Sequence, residues 1–566
     1  MNDYPFSAEI IRNYGQGVAV SIDTGDLGEA LNKQRVDFVT INVQGREIQT
    51  LSGLRRVLLD NPHIKLLITC NPRIQKAMGQ SPEELLNSLY NLGFEVYLLD
   101  EQKRKFYRLH DNKHSFLELL GTNIQGNLLC MSSSTSLLIS HLSHMADMTG
   151  AEKSLIAQIE ELKNKDVLSH IVVPQEGVLT SHLRKSAVSY DVVHFRWWGN
   201  IKVPTLAHIA ESLQEISHYA RELEKINPHI IYTNTLTIPW GAFLAYLLHK
   251  PHVWHIKEFG EKDHGFKFIL DFSEIKKIII QMSDFIIFNS KTVEKEFKKN
   301  LMISQKQAKT LYYNIRIGES EVRQKVKTLY KNENSLKLII VGGVFETKGQ
   351  LEAIMAVHEL NKQKIPVDLV ILGDLNENSF YYKKLVQTIN NYHLTNVSFE
   401  PKVANPYPFM KQAHILLVCS RREAFGKVTI EGMLLKKLVI GANSGGTQEL
   451  IQVGRTGYLY KQGDVADLVE KLIKIYNNKH LILTIGRRAQ KYALTHFSNN
   501  SYIEDIYQLF LNMRSEKPTI KESVGDYVGK LLQYFSEHKN NDAKNIKDIQ
   551  KKQTRLRKVI SRLRGY

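Results

Sequence analysis

Short runs of leucine and β-branched residues, bounded by glycine, asparagine, aspartate or serine, recur along most of the chain and alternate with stretches of helical spacing. Runs of this kind, four to eight residues long and apolar on both faces, predict strands buried in a parallel sheet with helices packed on either side. In the first segment the pattern predicts strands at 35–42, 64–69 and 94–99, with helices at 51–59 and 82–92 between them. Strand, helix, strand in that order predicts parallel pairing.

A second cycle opens with a strand at 137–140 and a helix at 153–163. Buried strands follow at 171–173, 192–194, 230–232, 252–254 and 285–288, a doubly wound pattern. The charged, turn-rich stretch 318–335 reads as a linker. A third series has strands at 338–341, 368–372, 397–399, 415–418 and 438–440. The fold class is therefore α/β, with two Rossmann-like domains after a shorter α/β segment, and ligands are expected beyond the carboxyl ends of the strands. The predicted boundaries are 1–130, 134–325, 333–515 and a tail at 516–566.

A length of 566 residues exceeds one hydrophobic core, and 43% hydrophobic with 23% charged residues is the balance of a folded globular protein. Cys70, Cys130 and Cys419 are far apart in sequence and lack metal-site or disulfide spacing, which points to a reducing compartment. Neither a signal peptide nor an apolar run long enough for a bilayer is found, so a cytoplasmic location is expected. The net charge of +17 favours anionic partners. About half of it sits in the last turns of the chain, where 543–566 holds nine basic residues and one acidic residue, Asp548.

Three loops that follow strands of the third series carry candidate chemistry. The first contains Gly342, Gly343, Lys348 and Gly349, which let backbone and a cation approach a phosphate. Its spacing matches neither the dinucleotide fingerprint nor the P-loop, and a tight turn with a solvated lysine is the plainer alternative. The second runs from Ser420 to Met433 and sets Glu423 on the loop and Glu431 about two turns into the next helix. Carboxylates accept hydroxyl pairs of sugars, though each alone also fits a solvated helical glutamate. In the third loop, Ser444, Gly445, Gly446, Thr447 and Glu449 offer amides or merely cap a helix.

Together these residues resemble the retaining family-4 glycosyltransferases of GT-B fold over about 338–460. The hallmark Glu-x7-Glu pair stands as Glu423 and Glu431 around Phe425-Gly426, with Lys348-Gly349 and the Gly445-Gly446…Glu449 loop beside it. The resemblance implies that Lys348 neutralises a donor diphosphate, Glu431 holds the ribose, and Glu423 with the amides of Ala424, Phe425 and Gly426 meets the transferred sugar. Lys427 and Val428 complete the implied donor site. Many relatives carry arginine after the first glycine, where Gly343 stands; Arg421, Arg422 and Lys427 are candidates to compensate. The segment 137–314 resembles the acceptor domain, with Gly150, Ala151, Glu152, Asn234 and Glu258 on the acceptor side and His255 as a further catalytic candidate. No metal or other cofactor is implied, and the chain has no Asp-x-Asp.

The first 130 residues resemble, more faintly, the C-terminal half of FkbM-type methyltransferases, through 37–47, Leu51, Gly53 and 64–69. Asn42 replaces the usual aspartate, and the glycine-rich loop for S-adenosylmethionine has no counterpart, which implies a remnant or an interaction module. The tail places Ile546, Ile549, Leu556, Ile560 and Leu563 among lysines and arginines. It fits an amphipathic helix on an anionic membrane face, a partner helix, or a solvated end. No motif supports nucleic-acid binding. The expected function is transfer of a hexose from a UDP- or GDP-sugar to a glycan or lipid-linked acceptor in surface-polysaccharide synthesis; a non-catalytic nucleotide-sugar-binding scaffold is the alternative.

Overall fold

The computed structural model describes residues 36–186, 188–261, 265–304, 306–323, 334–498 and 501–514. The basic tail and most of the predicted linker lie outside them. The described residues form two compact units, one within 36–255, 268–286 and 505–514, the other within 256–267 and 287–504. No helix among the described residues is long and apolar enough to cross a membrane.

Two larger sheets stand out among the described residues of the first unit. One consists of β1 (Phe38–Ile41), β2 (Lys65–Cys70), β3 (Phe94–Asp100), β4 (Lys105–Arg108) and β5 (Gly126–Ser132), in the order β1-β2-β5-β3-β4. Only β1 and β2 pair in parallel. β5 inserts antiparallel between β2 and β3, and β4 returns antiparallel on β3, so the parallel sheet expected here is mixed. The reason is physical: a strand buried on both faces is a continuous apolar run in either direction. The other sheet, within this unit, is parallel and runs β10-β9-β6-β7-β8 through β6 (Leu137–Leu142), β7 (Val167–Val173), β8 (Ser189–Val192), β9 (Ile230–Asn234) and β10 (His252–Ile256).

A half-buried ion pair ties these two sheets together, and a buried one braces the first of them. Lys105 on β4 bonds Asp191 on β8 at 2.6 Å. Arg108, 7% exposed, reaches Glu95 on β3 at 3.3 Å and donates to the Asn227 carbonyl at 2.9 Å. Burial pushes the Glu95 carboxyl up, but His229 and Arg108 outweigh it and hold it below the ordinary value. Arg108→Met should strand Glu95 with too little positive charge, and removing one partner of a buried pair costs about 3–5 kcal/mol. A melting-point drop of several degrees, partly rescued in Arg108→Met/Glu95→Gln, is the expected calorimetric result. Equal melting points would show that the pair contributes nothing.

The second unit holds one parallel sheet of β11 (Leu336–Val341), β12 (Val367–Gly373), β13 (Val397–Pro401), β14 (Ile415–Val418), β15 (Leu438–Ala442) and β16 (Tyr458–Tyr460). Its order is β13-β12-β11-β14-β15-β16. Leu338, Ile340, Leu369, Ile371, Ile415, Leu417, Leu438 and Ile440 fill the core, packed on Ile354 and Val357 of the helix Gln350–Lys362. The chain winds outward from β11 to β13, then returns to β14 on the other side of β11. That reversal is a topological switch point, and it leaves the loops after β11 and β14 side by side.

Candidate active site

The loop after β11 is shaped by backbone proximity. Gly342 has φ 149°. At Gly373, the end of β12, a β-carbon would lie 1.9 Å from the Gly342 carbonyl oxygen, so the two strand ends touch through bare backbone. A short 3-10 turn, Glu346–Lys348, leads to Gly349, which has φ 70° and starts the helix Gln350–Lys362. A β-carbon on Gly349 would sit 2.1 Å from the Cys419 carbonyl oxygen. The loop after β14 is stitched to it, since the Arg421 N–H donates to the Thr347 carbonyl at 2.8 Å.

This stitching brings together the two residues singled out for chemistry. Lys348 Nζ lies 2.8 Å from Glu423 Oε2, with the side chains 34% and 20% exposed. Phe425, two residues on, is buried against Tyr312 and Tyr313 at ring separations of 5.9 and 5.2 Å. Gly426, at φ 97°, opens the helix Lys427–Leu434. That late start makes Glu431 the fifth helical residue, little more than one turn in rather than two. Its charge, after burial itself, pushes the Tyr407 hydroxyl upward. Lys427 and Val428 are the first two residues of the helix, both half-buried.

The loop after β15 grips Glu423 from behind. The Gly446 N–H donates to the Glu423 carbonyl at 2.6 Å, and the Ser444 hydroxyl donates to the Arg421 carbonyl. A β-carbon on Gly445, whose φ is 56°, would fall 2.3 Å from the Glu423 carbonyl oxygen and 2.7 Å from its nitrogen. The glycine pair therefore serves close packing, and the Gly446 amide is committed to protein. Glu449 accepts the N–H groups of Lys291 and Thr292 at 2.9 and 2.5 Å and the Tyr312 hydroxyl at 2.8 Å, closing the start of the helix Lys291–Lys298. We expect Gly445→Ala to displace Glu423, because φ > 0 and a backbone clash act together. Its turnover should fall more than its melting temperature explains, and unchanged turnover would contradict the packing role.

The residues expected on the acceptor side stand as follows. Gly150 and Ala151 begin the helix Gly150–Lys163 in the first unit. Glu152 is fully buried and accepts from Ser143 at 3.1 Å and from Thr149, with His144 Nδ1 at 2.8 Å. Burial raises its carboxyl, yet His144 and Thr149 prevail and keep it below the ordinary value. Asn234 ends β9 opposite His255 on β10, both fully buried. His255 Nδ1 meets the Tyr232 hydroxyl. Glu258 belongs to the second unit and accepts the Lys257 N–H at 3.2 Å. Sequence reasoning missed His144 and the aromatic support of Phe425. The adjacent Tyr312-Tyr313 pair beyond the last strand of the second cycle was the available signal.

Residues 321–492 match the family model described as Glycosyl transferases group 1. The capsular polysaccharide biosynthesis glycosyltransferase CapM of Staphylococcus aureus is 24% identical over 387 residues, 65% of this chain and 97% of its own length. The N-acetyl-alpha-D-glucosaminyl L-malate synthase of Bacillus anthracis is 24% identical over 242 residues, 42% of this chain and 62% of its own. Among solved structures, Anabaena Alr3699/HepE in complex with UDP and glucose superposes with a TM-score of 0.54 at 21% identity, covering 66% of this chain and 99% of its own. The chain therefore carries the GT-B fold of glycosyltransferases, and the segment that matches the group 1 family is the one that bears all three loops.

Proposed function

We propose that the protein transfers a hexose from a UDP- or GDP-sugar to a glycan or lipid-linked acceptor, with retention at the anomeric carbon, during assembly of a surface polysaccharide. The observation that carries this reading is the Lys348–Glu423 pair at 2.8 Å, held where three strand-end loops meet. In such a reaction the bond from the anomeric carbon to the diphosphate breaks and negative charge grows on the departing phosphate. Fixed positive groups there lower the barrier because they need no reorganisation as charge develops. In this reading Lys348 meets that charge, Glu423 and the Ala424–Gly426 backbone face the sugar, and Glu431 takes the ribose. Glu152, Asn234, His255 and Glu258 belong to the acceptor side, and no metal is required. The name of the S. aureus relative and the UDP and glucose bound by the Anabaena protein support this choice of substrates.

The test is a thermal-shift and hydrolysis screen of the full chain against UDP-, GDP-, ADP- and CMP-sugars, with Lys348→Ala alongside. One donor should stabilise the wild type, or be slowly hydrolysed by it, and not by the variant. If no donor does either, the transferase reading falls.

A further inference from the structure

The parallel sheet of the first unit has a switch point of its own. The chain runs outward from β6 through β7 to β8, then returns to β9 on the other side of β6. The loops after β6 and β9 start side by side there, the place where open α/β sheets hold ligands. β9 pairs with β6 so that Thr233 faces Leu142, which sets Asn234 beside the start of the loop after β6.

That loop is held from several sides. The Ser143 hydroxyl lies 3.1 Å from both the Met145 carbonyl and Glu152, and the Ala146 carbonyl accepts the Leu179 N–H at 2.7 Å. The Trp197 indole N–H donates to the His144 carbonyl at 2.6 Å, and its ring lies 5.0 Å from the imidazole. Trp197 is fixed through its neighbours: the Arg196 carbonyl accepts from the Trp240 indole at 2.7 Å, and the Trp198 N–H donates to the Thr237 carbonyl at 3.1 Å. Thr237 and Trp240 belong to the stretch after β9, so both loops hold the same indole.

His144 is 8% exposed, and its Nδ1 lies 2.8 Å from Glu152 as a close ion pair without hydrogen-bond alignment. A carboxylate there favours the proton on Nδ1 and leaves the Nε2 lone pair as an acceptor. Nε2 has no partner among the described residues. Asn234 is fully buried, and neither its Oδ1 nor its Nδ2 has a partner among them. Burying a carboxamide that bonds nothing is unfavourable, so the group calls for an incoming donor and acceptor. A hydroxyl supplies both and can also donate to Nε2. A phosphate dianion has no proton to give that lone pair, and the Glu152 charge repels it.

From this juxtaposition we infer that His144 Nε2 and the Asn234 carboxamide form a hydroxyl-binding subsite for a neutral sugar acceptor, with Glu152 and Trp197 positioning the imidazole. The inference rests on the transferase reading above and adds His144 and Trp197 to it.

Transfer by the full chain tests it, using the donor found in the screen and methyl glucoside, methyl galactoside, methyl mannoside and farnesyl phosphate as acceptors, with donor hydrolysis read in the same reactions. Wild type should transfer to at least one methyl glycoside. His144→Leu and Asn234→Leu should each lower the ratio of transfer to hydrolysis tenfold or more and raise the KM for the glycoside. Damage to the fold alone would lower both rates together and leave the ratio unmoved. His144→Gln, whose side-chain oxygen can accept the same hydroxyl, should keep part of the ratio. Asn234→Leu removes an unpaired buried amide at nearly constant volume, so it should melt at or above the wild type and remain readable even if His144→Leu fails to fold. If Asn234→Leu keeps the wild-type ratio or melts well below the wild type, or if only farnesyl phosphate is used, the inference fails while the transferase reading stands. If wild type neither hydrolyses nor transfers any donor, both fail together.

Discussion

Glu423→Gln is expected to lower sugar transfer by about 10²–10³-fold, the scale for removal of one preorganised group at a reacting centre. The amide keeps the shape of the carboxylate, and the backbone beneath it remains held by Gly446. What changes is charge: Lys348 loses the partner now 2.8 Å away and becomes freer to attract the diphosphate. Nucleoside diphosphate affinity should therefore hold steady or rise while turnover collapses. Initial rates with the donor found in the screen, set beside calorimetric affinities, separate these two quantities. A variant that transfers at the wild-type rate would reduce Glu423 to a counter-ion that positions Lys348.

The first unit should lose stability steeply as pH falls from about 6.5 toward 4. Burial lowers the His229 imidazole to about 4 and that of His252 to about 3. Burial also lowers His170, although Asp191 opposes it. Each is locked as the neutral base: His229 Nδ1 accepts the Leu138 N–H at 2.9 Å, and His252 lies 2.8 Å from both the Met282 carbonyl and the Thr233 hydroxyl. In the unfolded chain these rings take up protons below about 6.5, while the folded chain refuses them. Unfolding thus binds protons, and stability declines by about 1.4 kcal/mol per pH unit for each such histidine until its folded value is reached. The depressed carboxyls of Asp191 and Glu95 act in the same direction lower down, giving stability above the ordinary carboxylate range that fades as they are protonated. Calorimetric melting between pH 7.5 and 4.5 checks the slope, and His229→Asn should flatten it by about one proton. A melting point level across that range would mean that the rings open to solvent without unfolding.

Much of this was legible in the residues. Strands such as Ile415–Val418 and Phe285–Phe288 stand where apolar runs sit between turn formers, and the three glycine-bearing loops fall after the strands that carry them. β5 was not predicted, and its insertion between β2 and β3 was not legible, because an apolar run is the same read either way. Nor was the work of Gly445 and Gly446, whose amides looked like ligand donors until the Glu423 backbone filled the space. Glu152 showed as a loop carboxylate, but its burial among Ser143, His144 and Thr149 depends on where β6 ends, which no local pattern encodes. The surroundings of Lys257 were not legible for a different reason. A lone lysine after a strand signals nothing until the fold sets Tyr313, some fifty residues away, beneath it.

The division of the chain also bears on how the protein can be cut for the laboratory. The second unit takes residues 256–267 from within the stretch that otherwise builds the first, and the chain passes from one unit to the other at 255, 267, 286 and 504. A clone that starts at the apparent linker would discard Tyr313 and Phe259, the rings over which Lys427 and Arg422 lie. A clone that stops there would omit Phe510, whose ring packs edge-on against Tyr232 at 6.1 Å, and Arg514, which donates to the Ser136 carbonyl at 3.1 Å. Neither portion is a free-standing cassette, so exchanging the second unit for that of another GT-B protein has to follow interleaved borders instead of a single splice.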